Sequence, residues 1–240
     1  MRALLAGLTL TLFALPASAQ EITLNLGGDG SLAGSSMLLI AGITLLSLAP
    51  GLAIMITCFP FIVTVLSILR QAMGLQQSPP NMLIVSLSMF LTWFVMEPTF
   101  MASWNDGIQP LIAGSMDMQA AFEHGIAPFR AFMAGRVDPD TFQQLAALRE
   151  GAPFSGELRS APLSVLVPSF MLSEITRAFE IGFLVFLPFL IIDLVVSAVL
   201  MSMGMMMVPP AVVALPFKLA FFVVANGWVL ISGALVRSYF

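Results

Sequence analysis

The chain has 240 residues, of which 59% are hydrophobic and only 9% are charged, and its mean hydropathy is +1.00. Soluble domains carry roughly 25% charged residues, so these few charges could not cover a globular surface, and the composition predicts an integral membrane protein. The net charge of -4 argues against a nucleic-acid-binding protein, which needs a basic patch.

Residues 1–19 have the pattern of a cleaved export signal. Arg2 precedes the apolar stretch Ala3 to Leu15, which has about the length of a signal-peptide core and is short for the roughly 20 residues of a membrane-spanning helix. Ala17-Ser18-Ala19 fits the small-residue pattern of a cleavage site. We therefore predict a signal peptide and a mature chain that begins at Gln20. A retained first membrane anchor is the alternative.

The next part of the chain predicts an exported segment and the start of a helical hairpin. Residues 20–41 begin with a polar stretch rich in glycine and serine, which is typical of a flexible lead-in. The apolar stretch over about 42–69 is interrupted by Pro50-Gly51 and Pro60, so it predicts one kinked or broken helix.

A short turn leads to the second helix of this hairpin. Arg70 ends the first helix, and Pro79-Pro80 mark the turn. The second apolar segment extends to about Trp104, so that residues 42–104 form the predicted first hairpin. Trp93 and Trp104 are candidates for anchors at the membrane–water interface.

Residues 105–162 hold half of the charged residues and the only histidine, His124. Short helical patterns fill the stretch, and Asp138-Pro139 is typical of an N-cap followed by proline in the first helical turn. We predict a small polar helical insert. It is too short to bury a large core alone, so it should pack on the rest of the chain or on a neighbour.

Residues 163–240 predict a second helical hairpin with a methionine-rich turn. Its apolar segments cover about 181–200 and 211–236, and Gly204, Pro209 and Pro210 lie in the turn. Five methionines occupy positions 201–207, and methionine is an unbranched, adaptable side chain. We name residues 201–210 the methionine turn.

The orientation of both hairpins follows from the signal peptide. If it is cleaved, both turns face the inside and the polar insert faces the outside. The distribution of basic residues does not support this orientation, because Arg70 is the only basic residue at an inner turn while the insert carries four arginines. Long loops translocate largely regardless of their charge, so the signal peptide is the better guide.

Two ionisable residues lie inside the apolar segments of the second hairpin. Asp193 and Lys218, the only lysine, are equally far from the centre of the methionine turn, so an antiparallel hairpin places them at one depth. Glu174 and Arg237 are related in the same way near the outer ends. Charges at membrane depth mark functional sites, and opposite charges offset part of each other's desolvation. We predict a buried Asp193–Lys218 ion pair, formed within the chain or between subunits.

The sequence contains few features that are typical of an enzyme. It contains no HExxH, CxxC or glycine-rich phosphate loop, and Cys58 lies in an apolar run that predicts a buried side chain. A serine–lysine dyad is disfavoured because Asp193 would hold the proton of Lys218. We therefore predict no catalytic residues, no metal site and no cofactor, and treat His124 as a surface residue.

One long segment of the sequence resembles a known protein family. FLIIDLVVSAVLMSMGMMMVPPAVVALPFKLAFFVVANGW, Phe189 to Trp228, is similar to the signature of the FliP family, flagellar biosynthetic proteins of the type III secretion export gate. Leu69 to Asn81 resembles the family's first inner turn, and the order of leader, hairpins and insert also matches. Injectisome homologues are the nearest alternative, and the leader and the GMMMVPP turn favour the flagellar branch.

Two positions depart from the family pattern. Phe59-Pro60-Phe61 stands where the family has a Phe-Thr-Arg style motif, and Asn226-Gly227-Trp228 stands where it has Asp-Gly-Trp. Both changes remove a charge from an apolar segment. Salt bridges that the resemblance would place at these positions are therefore not expected here.

The resemblance implies a non-enzymatic role in the bacterial inner membrane, at the flagellar basal body. Several copies, five in the family, join two smaller membrane subunits in a closed channel at the base of the rod, with the polar insert on the periplasmic side. Unfolded rod, hook and filament proteins pass through this channel. The resemblance also implies a flexible seal around the lumen, formed by Met203, Met205, Met206 and Met207.

The alternative from a different class is a small secondary transporter or proton-conducting protein in which Asp193 and Lys218 relay protons. Such proteins are often built from two related halves with a midplane site. The two hairpins here do not resemble each other, which disfavours this interpretation.

Overall fold

The computed structural model describes residues 32–75, 78–148, 156–205 and 207–240, and every regular element in these ranges is helical. The predicted all-α class is thus confirmed for them, whereas the predicted signal peptide lies outside the described residues. The chain divides into compact units at Ser47, and the packing described below belongs to residues 48–240. The helices are α1 (Leu32–Met55), α2 (Phe59–Ala72), α3 (Asn81–Ser103), α4 (Gln109–Ile112), α5 (Met118–Arg136), α6 (Pro139–Ala147), α7 (Leu163–Ser202), α8 (Pro210–Val224) and α9 (Gly227–Arg237).

Among the described residues, two continuous stretches are long and apolar enough to cross a membrane. They are Asn81–Ile112, with 32 residues, and Leu163–Ser202, with 40 residues. Helices α8 and α9 meet the same test only as a pair, with a bend of 61° between them. At 1.5 Å per residue α7 is about 60 Å long, roughly twice the thickness of a bilayer's hydrocarbon core. The apolar segment that the sequence places at about 181–200 is therefore only the second half of one long helix.

The last apolar segment, expected to be continuous over 211–236, is broken at Asn226. This residue has φ 50° and ψ 46°, the left-handed conformation that asparagine tolerates better than most residues. The chain can then turn sharply, and the ring of Trp228 meets Phe222 edge-on at 5.4 Å between centroids. The family departure at Asn226 thus falls on a backbone break, a position where either asparagine or aspartate is suitable.

The first apolar segment is likewise broken near Pro60, whereas α1 continues through Pro50-Gly51, where the sequence also predicts an interruption. Helix α1 ends at Met55 and α2 begins at Phe59 with Pro60 in its first turn. At the other end of this hairpin, α3 does not stop near Trp104. It continues through a π-helical turn, Trp104–Ile108, into α4, so helical structure extends into the region assigned to the polar insert.

Helix α2 lies at the centre of the main core. Its buried side chains pack against α7 and α3, with contributions from α8 and α9. A second core joins the polar insert to the beginning of α7 and contains Met133, Val137, Phe142, Ala161, Val165, Leu166 and Phe170. The insert therefore shares its core with a long helix of the second hairpin instead of burying one of its own.

A close approach of two glycines fixes the insert against the end of α3. A Cβ atom at Gly107 would lie 2.7 Å from the Cα of Gly125, whereas a Cβ at Gly125 would find no atom closer than 3.6 Å. The hydroxyl of Ser103 also donates to the carbonyl of Gly125 at 2.7 Å. The backbone of α5 can approach this closely only because residue 107 has no side chain.

We predict that Gly107→Ala destabilises the protein by about 1–3 kcal/mol, the usual range for overpacking. Gly125→Ala is the matched control and should be neutral or slightly stabilising, because it meets only ordinary contacts and alanine favours helices. Thermal unfolding of the detergent-solubilised protein measures both. Equal melting temperatures for the two variants would contradict the assigned contact.

Candidate functional site

The methionine turn joins α7 to α8 and presents its side chains to the surroundings. Met203, Met205 and Met207 are 66%, 41% and 98% exposed, while Met206 lies outside the described residues. Gly204 has φ 75°, the left-handed conformation that ends a helix.

Pro209 and Pro210 begin the next helix at its N-cap and first position. Proline suits these positions because its missing N–H would be unpaired there anyway. At the turn between α2 and α3, Pro80 is the N-cap of α3 and Pro79 precedes it. The structure thus places four of the five predicted turn residues between helices and the fifth, Pro210, at the first position of α8.

Asp193 and Lys218 meet within the chain. The Nζ atom of Lys218 lies 2.6 Å from Oδ2 of Asp193, with the two side chains 8% and 35% exposed. Helix α7 provides the carboxylate and α8 provides the ammonium group. Of the two arrangements that the sequence leaves open, the structure contains the one within a single chain.

Lys218 makes a second contact that the sequence does not suggest. Its Nζ atom donates to the carbonyl of Ala72 at 3.0 Å. Ala72 is the last residue of α2, and the carbonyls of a last helical turn have no partner within the helix. A cation at this position also interacts favourably with the helix dipole. One ammonium group therefore joins α7, α8 and the end of α2, beside the turn between α2 and α3.

The pairing leaves one acceptor unused. Oδ1 of Asp193 is buried and has no hydrogen-bond partner among the described residues. Buried polar atoms are usually paired, so this oxygen is a place where a further donor would be stabilising. The ion pair is therefore compatible with an additional contact from outside the chain.

A second charged cluster surrounds Glu174, which is completely buried. Its carboxylate lies 3.1 Å from Nε of Arg136 and 3.6 Å from a guanidinium nitrogen of Arg177, and it accepts a hydrogen bond from the hydroxyl of Tyr239. Arg136 also donates to the carbonyl of Ser238 at 2.8 Å and lies 4.1 Å from the centre of the Tyr239 ring. The cluster connects α5, α7 and the residues after α9.

The sequence does not predict the partners of Glu174. Equal depth in the hairpin relates it to Arg237, but the structure pairs it with Arg136 of the insert and with Arg177 of its own helix. The spacing of Glu174 and Arg177 on one helix could have suggested the weaker contact. Arg136 is 38 residues away, and no local pattern connects the two.

Aromatic packing protects the cluster. Burial, and then the neighbouring Glu174 carboxylate, raise the pKa of Tyr239 far above its usual value, so its hydroxyl stays protonated and donates. The ring of Phe61 meets that of Tyr239 edge-on at 5.5 Å between centroids. Phe61, which lies in the other segment that departs from the family pattern, therefore places an apolar ring beside this cluster. The positive charges of the cluster come from Arg136 and Arg177.

We predict that Arg136→Ala lowers the stability of the protein by about 3 kcal/mol, because it removes the nearest positively charged partner of a buried carboxylate. Tyr239→Phe should cost about 1–2 kcal/mol, since only the hydroxyl is lost and the ring packing remains. Thermal unfolding and limited proteolysis of the insert measure both. Arg159→Ala, at an exposed arginine of the insert, is the control. If Arg136→Ala has the same melting temperature as this control, the cluster does not stabilise the protein.

The other residues that the sequence singled out have simpler roles. Trp93 and Trp104 are 57% and 47% exposed, His124 is exposed, and Cys58 is buried. The predicted N-cap at Asp138 is confirmed, because its carboxylate accepts a hydrogen bond from the backbone N–H of Thr141 at 2.9 Å. Hydrogen bonds from Thr141 hold the pKa of Asp138 below its usual value.

Within the described residues, apolar helices of membrane-crossing length, ion pairs among these helices and a methionine-rich turn define an all-helical membrane protein. Comparison with known proteins gives its family. The model of the FliP family matches residues 42–235, so the chain belongs to the FliP family.

Individual relatives are similar over nearly the whole chain. The flagellar biosynthetic protein FliP of Caulobacter vibrioides is 48% identical, over 98% of this chain and 88% of that protein. The protein of the same name from Agrobacterium fabrum is 47% identical over 95% of this chain and 96% of its own length. The Bacillus subtilis protein is 41% identical over 85% and 92%.

Proposed function

We propose that this protein is a core subunit of the flagellar type III protein export gate. In this role, further copies of the chain, five in the family it resembles, join two smaller membrane subunits to form a channel. Unfolded rod, hook and filament proteins pass through it during flagellum assembly. The observation that carries the proposal is the methionine turn, whose side chains at 203, 205 and 207 are exposed at the tip of an apolar hairpin.

The chemistry of this turn suits a gate for unfolded chains. Such a gate has to block ions when no protein is being exported, and it has to open for exported chains whose side chains differ in shape. Methionine is apolar, unbranched and flexible, so a ring of its side chains can close and rearrange. Rigid prolines and the left-handed Gly204 confine this flexibility to the residues between α7 and α8. Met203, Met205, Met206 and Met207 are therefore the proposed channel seal.

The charged clusters support a subunit that is buried in an assembly. Glu174, Arg136, Lys218 and Asp193 find partners inside the chain, which avoids unpaired charges at membrane depth. Large apolar side chains meanwhile remain exposed along α3, α7, α8 and α9 and need to be covered by lipid or by neighbouring subunits. We place the assembly in the bacterial inner membrane at the flagellar basal body, with residues 105–162 on the periplasmic side.

The proposal is tested by deleting the gene and restoring it. The deletion strain should be non-motile and should release no hook or filament protein into the medium, and the wild-type gene should restore both. Loss of injectisome substrates with normal motility would identify an injectisome subunit instead.

Extraction in mild detergent tests the assembly. A gate subunit should elute as a large complex together with other membrane proteins of the export apparatus. A protein that purifies alone or as a small oligomer would contradict this role and favour the transporter alternative.

A further inference from the structure

A groove of about 620 Å³ runs between α3 and α9. Its walls are almost wholly apolar and come from both helices: Leu87, Leu91 and Phe94 on one side and Trp228, Val229 and Val236 on the other. Helix α3 belongs to a stretch that is apolar and long enough to cross a membrane. The groove therefore lies on the flank of a candidate membrane span.

One end of the groove carries a positive charge. Arg237, in the last turn of α9, is exposed, and its guanidinium forms no ion pair or hydrogen bond with any described residue. Its terminal nitrogen lies 3.7 Å from the position that a Cβ atom of Gly233 would occupy. The guanidinium therefore lies over Gly233, at the edge of the groove. Arg136 and Arg177, by contrast, are already committed to Glu174.

We propose that this groove binds one anionic phospholipid, with an acyl chain between α3 and α9 and the phosphate at Arg237. The distance along α9 from Trp228 to Arg237 is about 14 Å, so an apolar chain can lie in the groove while its headgroup reaches the arginine. Arginine pairs well with phosphate oxygens.

The lining favours lipid over an extended protein segment. An extended peptide would bring its own N–H and C=O groups into a groove that offers them hardly any partner, and unpaired backbone groups are costly in an apolar setting. An acyl chain brings no such groups. The unpaired cation at one end matches the single negative charge of an anionic headgroup.

Fluorescence quenching in vesicles tests the site. The full-length chain with Trp93→Phe and Trp104→Phe retains Trp228 as its only tryptophan. It is reconstituted in phosphatidylcholine vesicles that contain either phosphatidylglycerol or phosphatidylcholine brominated in the acyl chain. Brominated phosphatidylglycerol should quench Trp228 with a relative association constant about five-fold higher, which is the preference that one basic side chain near a membrane provides.

Three variants in the same background make the test specific. Arg237→Gln should bring the preference close to one, while Arg159→Gln, at an exposed arginine that does not line the groove, should leave it unchanged. Gly233→Leu should fill the groove and reduce quenching by both lipids. Equal quenching by both lipids, a preference that survives Arg237→Gln, or a Trp228 that neither lipid reaches because another protein chain covers it would each overturn the proposal.

Discussion

Replacing Asp193 with alanine is expected to abolish assembly and motility. The substitution leaves the ammonium group of Lys218, whose side chain is only 8% exposed, with the Ala72 carbonyl as its remaining partner. Leaving one member of a buried pair uncompensated costs about 3–5 kcal/mol. Lys218→Ala should also be severe, because it removes the contact at the end of α2 and leaves Asp193 without its partner.

The exchanged variant separates the two contacts of Lys218. Asp193→Lys combined with Lys218→Asp restores an ion pair between α7 and α8, so it should recover part of the assembly. It cannot restore the bond to Ala72, because an ionised aspartate has no hydrogen to donate to that carbonyl. Recovery should therefore be incomplete.

Swimming assays and the yield of the extracted complex measure these effects. Asp140→Ala, at an exposed carboxylate of the insert, is the matched control and should behave like the wild type. If Lys218→Ala assembles and swims normally, the ion pair has no role in the gate.

Replacing Met205, Met206 and Met207 together with alanine is expected to make the inner membrane leaky to small ions. Alanine side chains are too short to meet across a lumen, so the seal opens while the helices that carry it remain. Assembly should be largely intact, because the described methionines of the turn are exposed in the single chain. Export should be reduced but not lost, since the channel itself is still present.

An ion-leak assay and secretion measurements distinguish the possible roles of this turn. A matched triple variant with leucine in place of the three methionines keeps the apolar volume but adds branching, so it should seal tightly and export poorly. A triple alanine variant that exports poorly yet stays tight to ions would show that the methionines only pack at the hairpin tip.

Local and symmetric features of the sequence determine much of this protein. Its composition predicts the membrane class, its long apolar segments predict helices, and Asp138-Pro139 predicts a helix start because capping depends on residues three positions apart. The Asp193–Lys218 candidate comes from symmetry about one turn, which fixes relative depth in a hairpin. The signature from Phe189 to Trp228 leads to the family, which the family comparison confirms.

Only the tertiary structure revealed the contacts between residues that are far apart in the chain. Arg136 reaches Glu174 over 38 positions, and Lys218 reaches Ala72 over 146. Such contacts depend on how the helices pack against one another, and no periodicity in the sequence predicts them. The same reason explains the length of α7, where Glu174 and Arg177 look like the end of an apolar segment but are tolerated inside a helix. The Glu174 carboxylate is paired with Arg136, which only the fold brings near it.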